Sequence, residues 1–305
     1  MNGDKVFFGL SRAAGVFVLL LTLGIGVFLA VTAVPALREN TANFFTTQQW
    51  LPDANPPAFG IAALAFGTVM TAIIAMVLAV PVGTGIALFV AIYAKPTLGK
   101  VVAFLVDLLA AVPSIIFGLW GLEFLMGNMI GVSAWLDTWF GWIPLFANDQ
   151  DVYTRSIFIA GVVLAIMIIP TISAVTREVF VQTPQGHVEA ALALGATRWE
   201  MIRMVVFPYS RPGMISAAML GLGRALGETI AVALLLSALF EINWHITEPG
   251  GNTFAANIAL KWNEAGSIGL SALVASGLVL FLITLAVNMA ARLIVARKRD
   301  FVEGH

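Results

Sequence analysis

Apolar positions fill six long runs along the chain, and short polar stretches separate them. The runs are roughly Ala13–Leu37, Ile61–Ala94, Val101–Ile130, Ser156–Val175, Gly213–Phe240 and Ile268–Val295. A helix needs about 20 apolar residues to cross a bilayer. Continuous apolar runs of this length predict transmembrane helices rather than buried strands. The expectation is an all-α membrane protein with six spans. No polar stretch is long enough to build a core of its own, so residues 1–305 read as a single transmembrane domain without internal repeats. The first run follows Lys5 and Arg12 as a signal peptide would. It exceeds the usual 7–15 apolar residues of such a segment, which favours an uncleaved anchor.

Composition agrees with the pattern. The chain is 60% hydrophobic and 11% charged, against about 45–50% and about 25% in soluble domains. It has no Cys, which excludes disulfides, thiol catalysis and thiolate metal sites. Its three histidines, His187, His245 and His305, lie far apart in sequence, so no metal site is expected from their spacing. The formal net charge of -1 hides an uneven distribution and says little about partners; nucleic acid is not an expected partner.

Loop charge orients the spans. Lys5, Arg12, Lys95, Lys100, Arg177, Arg198, Arg203, Arg211, Arg292, Arg297, Lys298 and Arg299 fall on one side of a six-span arrangement. Arg38, Arg155 and Lys261 fall on the other. The positive-inside rule then places both termini in the cytoplasm. The opposite side carries Asp53, Asp137, Asp149 and Asp151, with Trp135, Trp139 and Trp142 forming part of an interfacial aromatic belt.

Two features stand out from this background. The first is a polar, helix-prone island at about 183–208. It carries Glu189-Ala190-Ala191, then Gly195, then Pro208. The second is Arg224 with Glu228 inside the fifth run, in the string GLGRALGETIAVALLL. Arg224 lies about 15–20 Å past the start of its predicted helix, near the middle of a core about 30 Å thick. Residues four apart share a helix face, so the two charges are expected to meet. An intramembrane charge must face protein or a water-filled path. One reading is an ion pair that fixes helix packing. The other is an anion contact, because arginine presents a planar fork of donors that matches two oxygens of an oxyanion. Pro113 and Ser114 in the third run would free backbone groups towards the same path.

The spacing of the polar island resembles the EAA loop of ABC-importer permeases, with Val205 and Phe207 standing where that pattern has Ile and Leu. The string from Arg224 to Glu228 resembles oxyanion permeases. LLAAVPSIIFGLWGL from Leu108, LAIMIIPTISAVTREVF from Leu164 and FPYSRPGMISAAMLGLGRALGETIAVALLLS from Phe207 are closest to the phosphate-specific transport (Pst) family. That family has two paralogous permeases, and the strings resemble its C-type permease more than its A-type. Ile230-Ala231 follows Gly-Glu-Thr here, where the A-type typically has Ala-Pro.

The resemblance implies a type I ABC-importer permease fold and import of phosphate by alternating access in a bacterial cell membrane. It implies that Glu189, Ala190, Ala191, Gly195 and Pro208 couple to an ATPase through two short helices joined near Gly195. It also implies a homologous second permease, two ATPase subunits and an extracytoplasmic phosphate-binding protein as partners. The chain has no Gly-x-x-x-x-Gly-Lys-Ser/Thr string, so it is expected to bind no cofactor itself, with ATP and Mg held by the partner ATPase. A sulfate or molybdate permease shares the Arg-to-Glu motif and remains an alternative. So does an ATP-independent anion channel with Arg224 as its selectivity charge. The EAA spacing speaks against the channel, and no paired carboxylates or nucleophile–base set suggests an enzyme.

Overall fold

The computed structural model describes residues 2–302, with side chains described for 7–293. Lys5, Arg297, Lys298, Arg299 and His305 therefore lie outside the described side chains. The chain is a bundle of helices with one two-stranded hairpin. Helix α1 spans Asn2–Glu39. The hairpin β1 (Trp50–Leu51) and β2 (Ala58–Phe59) is antiparallel, with Trp50 opposite Phe59. Helix α2 spans Ala62–Leu88 and ends in a π-helical turn, Phe89–Tyr93. Next come α3 (Pro96–Ala110), α4 (Ser114–Trp120), a second π-helical turn (Gly121–Leu125) and α5 (Met126–Phe140). The chain continues through α6 (Ile157–Val181), α7 (Gln185–Ala193), α8 (Arg198–Met201) and a third π-helical turn (Ile202–Val206). It closes with α9 (Phe207–Gly227), α10 (Ile230–Leu235), α11 (Phe254–Lys261) and α12 (Ser267–Val302).

Among the described residues, five helices are long and apolar enough to cross a membrane: Phe7–Glu39, Ala62–Tyr93, Ser114–Phe140, Ile157–Val181 and Ser267–Leu293. The chain is thus a multi-pass membrane protein. Two of the expected runs are interrupted. The third breaks at Pro113, because proline lacks an N–H and pushes the preceding residue out of helical conformation. The fifth breaks after Gly227. Glu228 is extended there, with ψ 128°, and the glycines at 221, 223 and 227 weaken the helix before it.

Helix α6 is the centre of the bundle. Two thirds of its most apolar stretch is buried (67%), whereas none of that of α1 is (0%). Ile159, Val163, Leu164, Met167, Ile168 and Ile172 of α6 anchor the main core, which α2, α4, α9 and α10 complete. Glycines let neighbours approach it. A Cβ at Gly161 would lie 2.6 Å from a methyl of Ile74, and one at Gly118 would lie 2.8 Å from the Ala231 Cα. Small residues at such contacts are how membrane helices gain close packing.

A second cluster, around Trp50, Phe59, Leu64 and Phe254, seats the hairpin on the start of α12. Asp53 fixes the same junction, accepting from the N–H groups of Gly266 (3.0 Å) and Gly269 (2.8 Å). A third cluster joins Phe180 at the far end of α6 to Ala87, Met201, Ile202 and Val206. The hairpin and the loops 141–156 and 236–253 gather at one end of the bundle, and loop 183–208 occupies the other.

Candidate functional site: a polar break inside the bundle and a coupling loop at its end

Two helix restarts lie side by side. Helices α4 and α10 pack in parallel, with Gly118 against Ala231 and Gly121 against Leu235. Gly121 also meets Val163 of α6. Counting back along α4 to Ser114, and forward along α6 to Thr171, moves about 10–12 Å in the same direction. Ser114, Thr171 and the Glu228 break therefore share one depth. Arg224 is at that depth too: its Nη1 donates to Thr171 Oγ1 at 3.2 Å. Pro170, immediately before Thr171, removes a backbone donor from α6 at the same level.

Arg224 and Glu228 do not share a helix face, contrary to the expectation from their spacing. The helix ends at Gly227, so the four-residue rule no longer applies. Glu228 turns instead towards α10, where Oε1 accepts from Ala231 N at 3.4 Å. The ion pair is not made among the described residues, and the guanidinium is held by a neutral hydroxyl. Both side chains are half-buried, as is Ser114, while Pro113 is exposed. A permanently charged fork with one neutral partner, beside two helix interruptions, is an arrangement that can receive an anion.

Of the expected pair of short helices in loop 183–208, only α7 stands alone: α8 runs through the π-helical turn Ile202–Val206 into α9 without a break. Gly195 lies between α7 and α8 at φ +88°, a conformation glycine adopts without the penalty other residues incur. Thr197 caps α8 in a reciprocal box with Glu200: the Glu200 N–H donates to Thr197 Oγ1 (3.3 Å) and the Thr197 N–H to Glu200 Oε2 (2.7 Å). These bonds hold the Glu200 carboxyl below its usual range. Threonine followed three residues later by glutamate is a capping signature that can be found in the sequence itself, and it marks the start of α8.

Three details of the loop emerge from the structure. Glu189 is the fifth residue of a nine-residue helix, so it gains little from the helix dipole, which acts within the first turn. Ala191 packs inwards against the Phe180 cluster, so its small size lets α7 approach this bundle. Ala190 and Glu189 face out. Pro208 lies inside the continuous helical stretch that α8 begins, just after the π-helical turn Ile202–Val206, where its missing N–H removes one helical donor. The exposed face is apolar at its tip: Leu194 is 91% exposed beside Leu192.

Arg177 of α6 pairs with Asp107 of α3 at 3.6 Å. The two are far apart in sequence, and no spacing rule links them. At the opposite end of the bundle, Glu248 is buried in a loop junction. It accepts from Asp149 N (2.8 Å), Gln150 Nε2 (3.3 Å) and Asn243 Nδ2, and contacts His245 Nδ1 at 3.2 Å. Burial raises its pKa, and these hydrogen bonds outweigh that and leave it lowered.

A chain with this fold and a loop of this form is a membrane-embedded transport component. Residues 83–300 match the family described as "Binding-protein-dependent transport system inner membrane component", and the chain belongs to that family. Among its relatives is "Phosphate transport system permease protein PstC 2" of Mycobacterium tuberculosis, 46% identical over 302 residues, covering 97% of this chain and 93% of the relative. "Phosphate transport system permease protein PstC" of Mycobacterium leprae is 47% identical, covering 88% and 85%. The protein of the same name from Xylella fastidiosa strain 9a5c is 39% identical, covering 97% and 91%. These relatives carry the name of the C-type permease that the sequence resembles.

The MetNI methionine ABC transporter in an inward-facing conformation superposes with a TM-score of 0.52 at 21% identity, covering 78% of this chain and 94% of that one. A bacterial ABC transporter that imports alginate gives 0.51 at 17% identity, covering 78% and 79%. Both show the ABC-importer permease fold.

Proposed function

We propose that this chain is a permease component of an ATP-driven phosphate importer. The observation that carries the reading is the position of Arg224, a fixed charge with a neutral partner, at the depth where two helices restart. The relatives named as phosphate permeases supply the anion. In this reading Arg224 receives phosphate, and Ser114 and the freed backbone at Pro113 line its path. Glu228 limits how tightly the anion is held, and it can accept a hydrogen bond from protonated phosphate. Loop 183–208 docks on an ATPase through Glu189, Ala190 and Leu194, with Gly195 setting its turn and Pro208 in the helix that leads from the loop into the bundle. The complete importer adds a homologous second permease, two ATPase subunits that hold ATP and Mg, and an extracytoplasmic phosphate-binding protein. Both termini and loop 183–208 then face the cytoplasm.

The test is uptake by vesicles that contain the chain and its partners. ATP-dependent phosphate uptake, exceeding that of sulfate and molybdate, is the expected result. Phosphate flux through the chain alone without ATP would establish a channel instead. Uptake that prefers sulfate or molybdate would reassign the anion.

A further inference from the structure

Asp149, His245 and Glu248 bring one ligand atom each into a single cluster, with all three atoms within 4.8 Å of one another. His245 Nδ1 lies 3.2 Å from Glu248 Oε1 and 3.8 Å from Asp149 Oδ2. A tetrahedral zinc ion with bonds of about 2.0–2.1 Å holds its ligand atoms about 3.4 Å apart. The two separations from the imidazole bracket that value before any ion is added, and the two carboxylate oxygens lie within 4.8 Å of each other.

The three residues come from two loops. Asp149 belongs to loop 141–156, and His245 and Glu248 belong to loop 236–253. The loops are already joined by backbone bonds, from Ile246 N to Leu145 O (3.1 Å) and from Gly250 N to Arg155 O (3.0 Å). The anchor is Glu248, whose side chain is 4% exposed. Gln150 and Asn243 donate to its outer oxygen, Oε2, while Oε1 accepts from the Asp149 N–H at 2.8 Å and faces the imidazole with its remaining lone pair. Ligating carboxylates are held by outer hydrogen bonds of this kind, which fix the oxygen that meets the metal. Asp149, with its side chain 83% exposed, can close over the ion last, and water can complete the shell.

We propose that Asp149, His245 and Glu248 form a binding site for a first-row divalent cation of the zinc class, which clamps loops 141–156 and 236–253 together. An imidazole among the ligands favours such an ion over Ca²⁺ or Mg²⁺, which take oxygen ligands. Binding places the His245 proton on Nε2 and directs the Nδ1 lone pair to the metal. The site lies at the end of the bundle opposite loop 183–208, so it is separate from the anion path and its test does not depend on the transported substrate.

The test is zinc binding by the purified full-length chain in detergent, measured against a chromophoric chelator. X-ray absorption then identifies the ligands. The absence of cysteine removes thiolate background. The wild-type chain is expected to bind a single tight equivalent in a shell of imidazole nitrogen and oxygen. His245→Ala and Asp149→Asn are each expected to weaken it by at least about tenfold, and Asp149→His to restore binding with a second imidazole in the shell. Zinc should also slow proteolysis within loop 141–156 in the wild type but not in His245→Ala. No tight equivalent in the wild type, or equal binding by His245→Ala, would overturn the assignment. Preferential binding of Ca²⁺ or Mg²⁺ would overturn the choice of metal class.

Discussion

The guanidinium of Arg224 donates to the hydroxyl of Thr171, 3.2 Å away across the contact between α9 and α6, while Glu228 points to the N–H of Ala231. The charge is thus oriented by a neutral group on the most buried helix of the bundle. Thr171→Val keeps the shape and removes the hydroxyl. A hydrogen bond to a charged group contributes about 1.5–3 kcal/mol, so phosphate uptake is expected to fall about tenfold or more. Arg224→Lys should lose most uptake while the complex still assembles, because an ammonium does not present a planar fork. Exchanging the two residues should fail as well, since they make no pair to preserve. Near-normal uptake by the exchanged variant would mean that Arg224 does not touch the anion.

Glu228→Gln leaves an oxygen to accept from Ala231 N, so the restart of α10 should survive. Uptake of phosphate is expected to drop only modestly. Discrimination against fully deprotonated sulfate should weaken, because a carboxylate repels that anion and an amide does not. Competition between the two anions in vesicles reads this directly. An unchanged preference would separate Glu228 from selectivity.

The turn of loop 183–208 depends on a φ of +88° at Gly195. Gly195→Val places a β-branched residue where it is strongly disfavoured. The chain is expected to insert but to lose phosphate-dependent ATP hydrolysis by its complex. Leu194→Asp changes only the exposed tip, and Glu189→Lys reverses a surface charge. Both should reduce co-purification of the ATPase without altering the helix content of the chain. Full co-purification of all three variants would place the docking surface elsewhere.

Single cysteines test orientation, since the chain has none of its own. Asn55→Cys and Ser267→Cys sit at exposed positions at the hairpin end, and Gln185→Cys at an exposed position of the opposite loop. An impermeant thiol reagent applied to intact cells should label the first two and spare the third. The reverse pattern would invert the topology.

Tyr153 offers a pH readout. Burial and then the hydrogen bond to Asp137 Oδ2 (2.8 Å) raise its pKa to about 12. A pKa raised on folding contributes stability that is complete below the unfolded value of about 10 and is lost as pH rises through about 12. Loop 141–156 should therefore keep its protease resistance at pH 10 and lose it nearer pH 12. Asp137→Asn removes the carboxylate contribution. The absorbance transition of this tyrosine should then move down towards 10.

The sequence made the long spans legible because twenty apolar residues in a row have few soluble alternatives. It also showed the turn at Gly195 and the break potential of Pro113. It did not show that the fifth run stops at Gly227. Hydropathy is continuous from Gly213 to Phe240, and it is blind to the extended backbone at Glu228. An i, i+4 rule fails across such a hidden helix end. Thr171, which holds Arg224, was invisible because its role depends on a contact between residues 53 positions apart. The Asp149–His245–Glu248 cluster was hidden in the same way, since its ligands fall in two loops about a hundred positions apart. The inward face of Ala191 was hidden by the exposure expected of a docking loop.

Helix α6 also has a mechanical consequence. It holds Thr171 one residue after Pro170 and Phe180 about 14 Å further along, where loop 183–208 packs on it. Proline is the natural pivot of such a rod. Phe180 is then the long arm of a lever and Thr171 its short arm. In the proposed function, a pull on the loop would reach the hydroxyl as a twist with little translation. A partner pulling on the loop would re-aim the arginine's fork without having to carry it, and the anion would be released by misalignment.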